Sequence, residues 1–226
     1  RPTRDILHAT FRTTIDDTLD VFLAHFPSRL GGAAFSSPYR ERTAQLIAQT
    51  ADSISHIRTH PYLIALGDFN DEPSDPSIAQ VLSPYFYALT PQATAYPPAD
   101  LPTSSAGRKS SENTFAEGST QARQQSSSTF NNNEVKGTYF FRHQWSRIDQ
   151  ILVSPNFISH NRPTTHSQAQ QHHFIIHPSS DIHIFAPSFL LEYSQTGDLH
   201  PRRTYLGTYY NGGISDHLPL FADFWY

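Results

Sequence analysis

The sequence predicts an α/β fold, and three features carry that prediction. Within residues 18–70 a strand pattern, a long helical pattern and a wholly apolar strand follow one another, which is the order of a βαβ unit. Two further apolar strands, in "SRIDQILVS" (146–154) and "GGISDHLPLFADFWY" (212–226), each begin beside an acid and read as internal. The 226 residues suffice to bury one substantial core, so a single domain is expected.

Taken in order, "TLDVFLAHFPSR" (18–29) alternates Leu19, Val21 and Leu23 with Phe22 on the other face, a strand that delivers His25 to its C-terminal end. "SSPYRERTAQLIAQTADSISHI" carries Ala44, Ile47, Ala51 and Ile54 at helical spacing, with Ser37 expected as N-cap and Pro38 at the first helical position. "PYLIALGDFN" (61–70) is continuously apolar until Asp68, as a strand covered on both faces would be. "DPSIAQVL" (75–82) repeats the start signal and predicts a short helix capped by Asp75 with Pro76 first. From Thr103 to Gly137 the chain is dominated by small polar residues, and Val135 is the only Val, Leu or Ile, so about 103–137 is expected to be a surface insertion. A second polar insertion is expected at 160–173.

Composition excludes several functions. Sixteen basic against 20 acidic residues, a formal charge of −4, leave no excess of positive charge for a long nucleic-acid footprint. The absence of cysteine removes disulfides, thiolate nucleophiles and zinc–sulfur sites. No apolar run reaches the ~20 residues of a membrane-spanning helix, and the start lacks a signal-peptide pattern. With Arg1 first and no methionine anywhere, the chain is expected to lack an upstream part of its protein.

Chemistry concentrates at the strand ends. Asp68 and Asn70 are two apart and on a strand would share a side. An acid beside an amide donor suits an activated water next to an anionic oxygen. Asp149 begins a strand, His25 ends one, and Asp216 and His217 are adjacent. Each has a plainer reading: Asp68 and Asn70 as turn residues, Asp149 as a partner of Arg147, His25 as a structural histidine. Arg29 could meet a phosphate or be solvated. Trp145 and Tyr209–Tyr210 could stack on a ring or belong to the core, and the histidines at 160, 166, 172 and 173 could bind metal or be solvated.

The stretches "GDFN", "RIDQILVS" and "SDHLP", in that order, resemble the endonuclease/exonuclease/phosphatase superfamily, whose fold is that of deoxyribonuclease I. "HFPSRLGG", "GTYFFRHQWSRIDQILVS" and "YNGGISDHLP" are most similar to a bacterial, often exported, branch of it. The resemblance implies a four-layer α/β sandwich, two packed β-sheets flanked by helices. It implies divalent-metal-dependent hydrolysis of a phosphodiester or phosphomonoester with Mg2+ or Mn2+, by in-line attack of an activated water.

By position, Asp68 matches the carboxylate that positions or deprotonates the water, and Asn70 the amide that holds a phosphate oxygen. Asp216, with Asp68, matches the metal-binding acids. His217 matches the imidazole on the scissile phosphate, Asp149 the acid that orients it, and His25 a less uniform histidine. The family also takes an Asn from its first strand and a metal-binding Glu upstream of His25; the 24 residues before His25 contain no Asn or Glu. The chain is therefore expected to be the C-terminal two-thirds of the domain, and whether it is active or inactive by itself stays open. The substrate stays open among nucleic acid, phosphorylated small molecule and phospholipid headgroup. A monomer, exported to the periplasm or medium, is expected. The alternative is an inactive binding or scaffold module that keeps the fold.

Overall fold

The computed structural model describes residues 4–12, 17–92, 134–158, 175–176 and 182–225. In chain order the strands are β1 (Leu7–Arg12), β2 (Thr18–His25), β3 (Tyr62–Asp68), β4 (Tyr87–Ala88), β5 (Pro91–Gln92), β6 (Tyr139–Phe141), β7 (Gln144–Ser146) and β8 (Asp149–Val153). They continue as β9 (Ile175–Ile176), β10 (Ile182–Ile184), β11 (Leu191–Tyr193), β12 (Leu199–Pro201), β13 (Tyr205–Leu206), β14 (Tyr209–Tyr210), β15 (Leu220–Phe221) and β16 (Phe224–Trp225). The long helix α1 spans Ala33–Ile57.

The expected βαβ unit is present. β2 and β3 are parallel neighbours joined through α1, in a five-stranded sheet of order β1-β2-β3-β8-β4. The helix packs on one face, where Ala44, Ile47, Ala51 and Ile54 meet Phe22, Ala24, Leu63 and Ala65. The opposite face carries Tyr62, Ile64, Ile151 and Val153, packed with Phe157 and Ile182 and with Leu220 partly buried against them. A second sheet, β15-β10-β5, lies on that side. Period-2 alternation explains how one strand serves both clusters. In β2, Asp20, Phe22 and Ala24 are buried toward the helix, while Leu19 and Val21 pack in part on the other side and Leu23 is exposed.

Four local expectations need correction. Helix α1 starts at Ala33, with Gly32 as N-cap at φ 112°, so Pro38 lies inside the helix and Ser37 caps nothing. The early turns are tied down by side chains: the Ser36 hydroxyl donates to Gly32 O (2.8 Å), which also accepts Ser36 N–H, and Arg40 Nη2 donates to Ala33 O (2.9 Å). The segment at 75–82 is a single π-helical turn, Ser77–Leu82, closed by Ser83 N to Ile78 O. Its Asp75 carboxylate accepts Glu72 N–H (2.8 Å) and Arg29 Nη2 (2.7 Å) rather than capping the turn.

β15 is an edge strand among the described residues, not an internal one, and Pro219 before it supplies no N–H to extend the ladder. The insertion expected at 103–137 lies outside the described residues up to 133, but its last residues join the core. Val135 is fully buried against Ile184, Leu191 and Leu199. The segment 160–173, with its histidines, also lies outside the described residues.

One glycine is needed for the sheet to close. Gly67 pairs with Ala24 at φ 133°, and a Cβ there would stand 2.1 Å from the Ala24 carbonyl oxygen. Gly197, at φ 86°, has nothing within 4 Å of where a Cβ would be. Gly67→Ala should therefore cost on the order of 3 kcal/mol of unfolding free energy, from strain plus collision, and Gly197→Ala only about 1 kcal/mol. Denaturant midpoints of the two variants check this, and equal losses would remove the close approach as the reason for the glycine.

Candidate active site

Three adjacent strands end in a row of titratable side chains. The parallel register of β2 and β3 puts His25 opposite Asp68, and the antiparallel register of β3 and β8 puts Asp68 opposite Asp149. His25 Nε2 lies 3.2 Å from Asp68 Oδ2. His217, from the loop before β15, completes the row: its Nδ1–H donates to Asp149 Oδ2 at 2.8 Å. The backbone of His217 bridges to Tyr139 of β6, and Leu218 N–H donates to Thr138 O (2.8 Å). The Tyr139 and His217 rings stand 4.7 Å apart, so the imidazole is held from the hairpin β6–β7 as well as by Asp149.

Asp68 is fixed by its own neighbour. Asn70, at φ 51°, donates its backbone N–H to Asp68 Oδ1 (2.9 Å). Its side-chain amide donates to Asp68 Oδ2 and to Phe26 O, both at 3.2 Å. The resemblance assigns that amide to a phosphate oxygen; in this structure both of its donors are engaged and Asn70 is buried. Burial raises the Asp68 carboxyl above its ordinary range; the Asn70 N–H draws it back, Asp149 adds to the rise, and His217 and His25 oppose it. Burial draws the His217 imidazole down, but the hydrogen bond and charge of Asp149, with Asp68 and Asp216, outweigh it and leave the group above 6.5.

Asp68, Asp149 and His217 offer ligand atoms that all lie within 4.8 Å of one another. Carboxylate oxygens suit a hard divalent cation. Two acids on neighbouring strands, one already raised by burial and by the other's charge, form a donor set that a cation would relieve. The residues therefore fit such an ion. Asp216 is exposed on the loop beside His217, close enough for its charge to act on the imidazole, and stands outside that group of three.

Sequence reasoning missed the support beneath this row. Arg40 is fully buried in α1 and donates Nε to Asp71 Oδ1 (2.6 Å) and Nη1 to Ser36 Oγ (2.7 Å). Asp71 also accepts the Ser77 hydroxyl (2.7 Å). Arg29, considered as a phosphate contact, instead donates Nε to Asn70 O (2.6 Å) and Nη2 to Asp75. Together they clamp the loop that follows Asp68. The missed signal was Arg40 itself, a charge four residues before Ala44 on the buried stripe. Trp145 packs in part against the second core cluster, whereas Tyr209 and Tyr210 are exposed.

A family model described as endonuclease/exonuclease/phosphatase matches residues 1–89 and 107–224. The chain belongs to that family. The deoxyribonuclease-I-like architecture expected from the sequence is borne out, with α1 outside one sheet and a second sheet on its other face. No curated protein matches the sequence. Among solved structures the chain is similar to beta toxin 275-280 from Staphylococcus aureus (12% identity, TM-score 0.46). It is similar also to a double mutant of that toxin with bound magnesium ions (13%, 0.46) and to sphingomyelinase C from Streptomyces griseocarneus (14%, 0.42). Each match covers 96% of this chain and 56% of the other, so the chain spans little more than half the length of these structures. No helix among the described residues is long and apolar enough to cross a membrane.

The geometry sets the direction of a pH effect. Because the folded-state pKa of His217 is raised, the stability it contributes is fully present below its unfolded value and is lost as pH rises through the folded one. NMR titration of the His217 ring should thus give a midpoint above 6.5 that falls in Asp149→Asn. The stability gap between the wild type and that variant should narrow as pH rises through the wild-type midpoint. An unmoved midpoint would show that Asp149 does not control the imidazole.

Proposed function

We propose that the chain forms part of a divalent-metal-dependent phosphoesterase. The observation that carries this reading is the row His25, Asp68, Asp149, His217 at the strand ends of a chain in this family. Asp68 and Asp216 are the acids the family resemblance assigns to Mg2+ or Mn2+, and Asp149 is the carboxylate whose ligand atom lies within 4.8 Å of that of Asp68; such an ion, when bound, would supply positive charge against the phosphate.

The protein's own groups do the rest. Asp68, held on both oxygens by Asn70, is kept in one orientation, and its raised pKa makes it a better acceptor for a proton from an attacking water. Asp149 fixes the tautomer of His217 by accepting from Nδ1 and favours the imidazolium. Nε2 is then left as a donor for a phosphate oxygen as negative charge develops there. His25, half-exposed beside Asp68, adds positive character when protonated. Asn70 serves this chemistry by placing Asp68. Export and a monomeric state belong to the same proposal and rest on the family resemblance.

Turnover of bis(p-nitrophenyl) phosphate and p-nitrophenyl phosphate with magnesium or manganese tests the reading. His217→Ala should lower kcat by about 10²–10³, as loss of a preorganised donor does. Asp149→Asn should lose less, with KM little changed, and the double variant should be hardly slower than His217→Ala because the pair acts as one unit. Multiplicative losses would separate Asp149 from His217. No turnover by the wild type with either ion would favour a binding module that keeps the fold.

A further inference from the structure

The floor of the site is apolar. Period-2 alternation places Leu66 beneath Asp68 and Ile151 beneath Asp149 on the same face of the sheet, and the register pairs Leu66 with Ile151. Leu218 and Leu220 follow His217 along the chain, and Leu190 and Ile214 complete the walls of a cavity of about 300 Å3 that the catalytic row opens into. Leu218, Leu190 and Ile151 are buried, whereas Ile214 is 67% exposed at the rim. No lysine or arginine lines this cavity among the described residues.

Such a volume is that of a small-molecule pocket, and its chemistry is one-sided. The reacting phosphate would meet Asp68, Asp149 and His217 at one end. A second phosphate of a polyanion, directed into the cavity, would meet mainly aliphatic walls and carboxylate charge, with Gln150 and Ser215 as the uncharged polar residues of the lining and no lysine or arginine to offset its desolvation. An aryl or alkyl group would bury apolar surface there instead. We propose that the cavity holds the apolar substituent of the phosphate ester, so that the site selects esters carrying a compact aryl or alkyl group over polyanionic ones. This rests on the phosphoesterase reading for the position of the phosphate but not for the character of the walls.

Binding of non-hydrolysable phosphonates separates the two. With magnesium present, calorimetry should show phenylphosphonate binding roughly tenfold tighter than methylphosphonate, as expected for part-burial of a ring. Ile214→Ser, at an exposed position and so with little effect on folding, should reduce that preference to about twofold by wetting the rim, while leaving methylphosphonate affinity unchanged. Equal affinity for the two phosphonates, or a preference that survives Ile214→Ser, would overturn the assignment. A phenyl preference in a protein that hydrolyses no ester would keep the cavity and sink the phosphoesterase reading. Hydrolysis without any phenyl preference would do the reverse.

Discussion

The register of three strands is the constraint on which the site depends. β2, β3 and β8 lie side by side with His25, Asp68 and Asp149 at matching positions, and neighbouring strands are only about 4.8 Å apart. Backbone hydrogen bonding alone therefore brings an imidazole and two carboxylates together. A slip of one residue in β8 would turn Asp149 to the helix side and Gln150 to the site. The apolar pairs below, Leu66 with Ile151 and Ile64 with Val153, hold the register because their face is buried against the second sheet. Gly67 lets β3 approach β2 closely enough for the row to form.

Around that row the molecule keeps its charges on a short leash. A buried ion pair such as Arg40–Asp71 is a poor source of net stability, because removing both charges from water costs about what their attraction returns. Its value here is positional. It ties the first turns of α1 to the residue directly after Asn70, while Arg29 holds the Asn70 carbonyl from the other side. Asn70 can then keep a left-handed backbone that few non-glycine residues adopt, and from there it reaches both oxygens of Asp68. Orientation of the acid thus traces back to Arg40 in the helix, 31 residues before its partner Asp71 in sequence.

Much of this was legible in the sequence because it rested on periodicity and on strand ends. The βαβ unit, the two-faced β3 and the titratable residues of "GDFN", "RIDQ" and "SDH" that the structure brings together could be singled out from local pattern. What could not be read was decided by tertiary contacts. The start of α1 lies at Ala33, after the positive-φ Gly32 and held by Arg40 through Ala33 O and Asp71, contacts that the local Ser37–Pro38 start signal does not contain. Val135 looked like a stray apolar residue in a polar segment, and only the packing of Ile184, Leu191 and Leu199 makes it core. The partners of Asn70, Phe26 O and Asp68, depend on a left-handed turn that sequence does not specify for Asn.

The row makes sense as one device if Asp68 is both the oriented acid and a ligand to a divalent ion. Titration with Mn2+ followed by electron paramagnetic resonance tests that shared role most directly, since it counts bound ions without requiring turnover. The wild type should bind one Mn2+ that Mg2+ displaces, and Asp68→Asn, isosteric and confirmed folded by its melting curve, should weaken that binding at least roughly tenfold. Unchanged Mn2+ affinity in Asp68→Asn would contradict it and leave the row as an arrangement of hydrogen-bonded side chains with no metal at its centre.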